Sequence, residues 1–134
     1  MIARLNGQID SYSETGVVVM VGGVGYEVYV GRRFVNRLIH DGIPKDPVWL
    51  IVYQHYMQDR NPVLYGFLSE AERDWFQRMI KADGVGPVSA INIMEAMTYD
   101  QFMVAVERND QPALQVAKGV GPKVAAKIVE AFSG

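Results

Sequence analysis

Two short segments carry the residue types that could grip an anion. Gly84-Val85-Gly86-Pro87 and Gly119-Val120-Gly121-Pro122 recur at an offset of 35 residues, inside a longer match of residues 83–94 with 118–129. In each copy the first glycine can take the left-handed conformation that ends a helix. The second lets backbone approach a partner with no Cβ in the way. Proline suits the first position of the next helix, where its missing N–H costs little. The valine can tuck into the two-helix core and hold the hairpin closed. The product is a helix N-terminus with unpaired donors and the positive end of a dipole, which favours phosphate. One Gly-x-Gly-Pro between helices is usually only a turn. Two copies at matched spacing could hold two successive phosphate stretches in a duplex minor groove. They would touch backbone, not base edges, so binding would be sequence-neutral.

Side chains distinguish the copies. Lys123 and Lys127 are four apart and share a helix face, and Lys118 stands just before the second loop. Three ammonium groups around one helix N-terminus make a phosphate site, although exposed lysines on a helix face are also ordinary. In the first copy Val88 replaces Lys123 and Asp83 replaces Lys118. Arg78 and Lys81, on the preceding helix, are expected to supply the charge there.

These loops need helices to position them, and the second half of the chain reads as helical. Ser69-Glu70-Ala71-Glu72 and Thr98-Tyr99-Asp100-Gln101 are capping boxes. Trp75, Phe76, Met79 and Ile80 follow the first with helical spacing. Asp110 can cap a short helix that tolerates Pro112 in its first turn. The first half reads as strands. Residues 2–9, 16–21, 26–30, 48–57 and 63–67 are rich in valine, isoleucine and tyrosine. A short helix over 32–39, with Phe34, Val35, Leu38 and Ile39 on one side, precedes the fourth strand. Five strands with a helix between the third and fourth suggest a closed OB-type barrel. The expected fold class is therefore α+β. A five-stranded barrel occupies residues 1–67, and a helical domain with tandem helix–hairpin–helix motifs occupies 68–134, because the hydrophobic period changes near Leu68.

Composition sets limits. The 134 residues carry a net charge of −2, so a uniformly basic nucleic-acid binder is excluded and any basic groups must gather on one face. The chain has no cysteine, which rules out disulfides and thiolate metal sites and is compatible with a reducing cytoplasm. The opening residues are too polar for a signal peptide. No apolar run approaches the roughly 20 residues of a membrane span. His40 and His55 are isolated, so no metal is expected, and no cofactor.

The chain resembles the RuvA family of Holliday-junction-binding proteins over essentially its whole length. Met1-Ile2-Ala3-Arg4-Leu5-Asn6-Gly7, Val21-Gly22-Gly23-Val24-Gly25-Tyr26-Glu27-Val28, Leu64-Tyr65-Gly66-Phe67 and both Gly-Val-Gly-Pro hairpins stand where that family has them. The resemblance implies a non-catalytic homotetramer, or octamer, in the cytoplasm. It would hold a four-way junction open and square, load RuvB motors that drive branch migration with ATP, and precede cleavage by RuvC. It implies backbone contacts from Gly84, Val85, Gly86, Gly119, Val120 and Gly121, with Lys123 and Lys127 beside them. It also implies an acidic pin before the last barrel strand. Here that loop, Gln58-Asp59-Arg60-Asn61-Pro62, is about one residue short and carries one acid, Asp59, where two adjacent acids are expected. Family members continue into a C-terminal domain that contacts RuvB. A chain that stops at Gly134 is expected to bind junctions without loading RuvB in the usual way.

Other classes compete. Some DNA glycosylases use the same hairpin, but they need a catalytic aspartate well beyond it, and the 12 residues after Pro122 hold one acid, Glu130. A nuclease would need clustered acids or histidines. A protein-interaction module, with the hairpins packed against a partner, stays open, as does a short junction binder serving another partner.

Overall fold

A computed structural model describes residues 1–133. The chain divides into two compact units, one ending at Arg73 and the other beginning at Asp74. The first is a closed five-stranded barrel. Its strands are β1 (Arg4–Tyr12), β2 (Gly16–Val21), β3 (Val24–Tyr29), β4 (Val48–His55) and β5 (Val63–Phe67), with helix α1 (Arg32–Asp41) between β3 and β4. They close in the order β1-β2-β3-β5-β4. All neighbours are antiparallel except β3 and β5, which run parallel with Val28 opposite Leu64. Closure leaves no free sheet edge.

Alternation builds the barrel core. Leu5 and Ile9 on β1, Val17 and Val19 on β2, and Leu50 and Val52 on β4 all point inward. Val35 and Leu38 of α1 pack against the same cluster, with Phe34 partly buried beside them. Ile39, expected on this packing side, is instead exposed. Phe34, Leu38 and Val35 fill an arc of about 100° that meets the barrel, and Ile39 falls about 40° beyond its Val35 edge. The strand ends also differ from the sequence pattern. β1 runs on to Tyr12 because a bulge between Ile9 and Ser11 restores pairing with β2, and Tyr12 meets Val17. β4 stops at His55, its last pair with Val63.

The helical unit contains most of α2 (Glu70–Ile80), then α3 (Pro87–Ala96), α4 (Tyr99–Glu107), α5 (Gln111–Leu114) and α6 (Pro122–Phe132). Phe76, Met79, Ile93, Phe102, Leu114 and Ile128 are fully buried. Phe102 is the aromatic hub: its ring lies 5.2 Å from Trp75 and 4.8 Å from Phe132, the latter edge-on. Side chains cap three helix starts. The Ser69 hydroxyl accepts from the Glu72 N–H, Thr98 and Gln101 form a reciprocal capping box, and Asp110 accepts from the Ala113 N–H.

Candidate nucleic-acid interface

Each Gly-Val-Gly loop ends one helical segment and begins another. Gly84 and Gly119 have φ of 80° and 78°, the left-handed conformation that glycine takes without strain. Val85 and Val120 are each 6% exposed. Their N–H groups donate to the carbonyls of Ala82 and Ala117, at 3.1 and 3.2 Å. Side chain and amide donor are thus committed inside the unit, and neither valine has an N–H to offer a partner. Their part is to brace the loop.

Gly86 and Gly121 differ from the first glycines. Their backbones are extended, with φ of −90° and −95°, and any residue can adopt this geometry. A Cβ on either would meet nothing within 4 Å. The fold therefore does not demand glycine at these positions. Both are helix N-caps without a side-chain cap, unlike Ser69, Thr98 and Asp110. The first hydrogen bonds of these helices run from Ala90 to the Gly86 carbonyl and from Ala125 to the Gly121 carbonyl, at 3.1 and 3.0 Å. Earlier donors, those of Val88 and Ser89 and of Lys123 and Val124, have no acceptor within their helices. Two helix ends are thus left bare where the sequence places its repeat.

The two loops are tied together. The Asn92 side-chain amide donates to the Lys118 carbonyl at 2.9 Å, and the Ser89 hydroxyl donates to the Gly119 carbonyl at 3.3 Å. Both donors lie on α3, behind the first loop, and both acceptors belong to the second. Sequence reasoning assigned no role to either residue. The repeat holds a signal for them: at the matching positions the second copy has Val124 and Lys127, so α3 carries short uncharged polar side chains where its duplicate has an aliphatic and a long cationic one.

Charge is distributed unevenly. Lys118 and Lys123 are exposed beside the second loop. Lys127 is exposed one turn further along α6 and pairs with Glu130 at 3.9 Å. Beside the first loop stand exposed Lys81 and Asp83. Arg78, expected to serve this loop, places its guanidinium 4.3 Å over the Phe132 ring. That cation–π contact gives it a packing role.

In the barrel unit, the exposed loop between β4 and β5 turns at Asp59, whose φ of 62° is left-handed, and the Arg60 N–H donates to the Met57 carbonyl at 3.2 Å. Nearby, burial and then the neighbouring Tyr29 push the Tyr65 hydroxyl pKa above its ordinary value. Among the described residues no cluster of histidines and acids could hold a metal, and no helix is long and apolar enough to cross a membrane.

A closed barrel with a parallel β3–β5 closure, followed by a tandem helix–hairpin–helix unit, defines a two-part architecture of an OB-like barrel and a paired-hairpin domain. Family comparison resolves it into two named parts. Residues 1–66 match the RuvA N terminal domain, and residues 76–133 match the SAM-like helix-hairpin-helix tandem. The chain is similar to the Holliday junction branch migration complex subunit RuvA of Methylorubrum populi, with 38% identity over 96% of this chain and 60% of that protein. The protein of the same name from Rhodospirillum centenum is 37% identical over 96% of this chain and 61% of its own length. By residues 1–66 the chain joins the RuvA N terminal domain family. It spans about 60% of the length of the curated relatives it matches.

Proposed function

We propose that this chain is a non-catalytic subunit that binds four-way DNA junctions through sugar-phosphate backbone, without reading sequence. The observation that carries this reading is the pair of bare helix starts at Gly86 and Gly121. Glycine there is not required by the backbone and leaves the helix uncapped, an arrangement that serves a partner's close approach rather than the fold. Gly84 and Gly119 set the turns, Val85 and Val120 brace them, and Lys118, Lys123 and Lys127 add attraction at the second loop. Lys81 supplies the charge at the first. Two loops held in register suit successive phosphates of one duplex arm.

The names of the relatives support the junction as the substrate, and the family resemblance supports assembly as a homotetramer or octamer working in the cytoplasm. The junction it holds would be the substrate of RuvB-driven branch migration and of RuvC cleavage, with the RuvB contact itself falling to the C-terminal domain that family members carry. Asp59, in this reading, is the acid that faces the junction centre. The test is a titration of a four-way junction and a linear duplex of the same arm sequence across a salt series, with mass measured in solution. Preferential junction binding by a tetramer, weakening steeply with salt, is expected. A monomer with equal affinity for both DNAs would sink the proposal.

A further inference from the structure

We propose that the groove between α1 and the barrel is a docking site for an acidic peptide with one large apolar anchor residue. A cavity of about 200 Å³ opens to solvent there. Its walls are apolar, from Ile9, Phe34, Leu38, Val48, Leu50 and Leu68. It is small for a drug-sized ligand, whose pockets run from roughly 300 Å³ upward. It suffices for one ring or branched chain, since an engineered apolar cavity of about 150 Å³ binds benzene. Leu68 lines it and is itself exposed.

The rim gives the charge of the partner. Arg37 lines the cavity, and Arg33 lies one turn earlier on the same helix face, with Arg32 beside it; all three are exposed. The first turn of α1 contains no acid. The only acid on α1 is Asp41, which also lines the cavity and lies 3.9 Å from His40. Beyond it, Lys45 and Asp46 offset each other in the next loop. Arginine forks suit carboxylates. Nucleic acid would engage the arginines and leave the cavity empty, whereas a purely apolar segment would fill the cavity and ignore the arginines. An acidic segment with one anchor uses both.

The test is fluorescence anisotropy of a labelled peptide, four aspartates followed by Leu-Phe, titrated with the full chain at low salt. Saturable micromolar binding is expected. Serine in place of the peptide's phenylalanine should weaken it about tenfold. Arg37→Glu and Leu68→Asp, both at exposed positions, should each do the same while leaving the thermal melt unchanged. Absence of saturation overturns the proposal, as does equal binding of a peptide with asparagines for aspartates. So does an Arg37→Glu variant that keeps its peptide affinity and loses affinity for duplex DNA, because α1 would then belong to nucleic acid.

Discussion

Replacing Gly121 with serine should make the protein more stable and a poorer DNA binder. The backbone at Gly121 is extended and a Cβ there meets nothing, so serine enters without strain. It narrows the unfolded ensemble, which stabilises by about 0.4–1 kcal/mol. Its hydroxyl can accept from the N–H of Lys123 or Val124, and serine exceeds glycine as an N-cap by a few tenths of a kcal/mol. The sum is roughly 0.5–1.3 kcal/mol, and for a unit of this size about 1 kcal/mol raises Tm by about 4–8 °C. The same hydroxyl occupies a donor that a phosphate would use, and its Cβ stands in the path of approach. Loss of one hydrogen bond to a charged group costs about 1.5–3 kcal/mol, or roughly 10- to 150-fold in affinity. Thermal melting and junction titration at fixed salt read the two effects separately. A raised Tm with unchanged affinity would refute the assignment of this helix start to DNA. A lowered Tm would refute the claim that the fold has no need of glycine here.

Three further outcomes follow from other parts of the interface. Asn92→Ala removes the bond to the Lys118 carbonyl; it should cost about 1 kcal/mol in urea denaturation and weaken junction binding although Asn92 itself need not touch DNA. Lys123→Ala should flatten the plot of log affinity against log salt by about 0.9 for each phosphate it no longer neutralises, and Lys127→Ala by less, because Glu130 already shares its charge. Asp59→Asn keeps a residue that tolerates the left-handed turn; it should change strand opening at the junction centre, read by a fluorescent base placed there, more than it changes gel-shift affinity, and equal changes in both would remove Asp59 from the mechanism.

The features legible in the sequence were those fixed by local chemistry. Left-handed Gly84 and Gly119, the prolines opening α3 and α6, and the caps at Ser69, Thr98 and Asp110 each depend on neighbours within a few residues. The barrel was legible from strand alternation and from the position of α1. What the sequence concealed was long-range. Arg78 looked like a spare cation beside the first loop, but its partner, Phe132, is 54 positions away. Ser89 and Asn92 find their acceptors 30 and 26 residues on. Ile39 is apolar yet exposed, because the helical arc against the barrel is already filled. Val85 and Val120 were expected to touch DNA on the strength of the loop they sit in, and only the fold reveals that their amides are spent on Ala82 and Ala117.

The cross-links from α3 to the second loop bear on kinetics. Two grips fixed to one rigid frame do not let go together. On the proposed reading, when one loop releases its phosphate, the other keeps that phosphate nearby at an effective concentration set by the frame, and rebinding outpaces escape. Residence time should then far exceed that of either loop alone, while each individual grip stays weak enough to be exchanged for the next phosphate along. Loosening the frame at Asn92 should accelerate dissociation with little change in association rate, a split that stopped-flow measurement resolves directly.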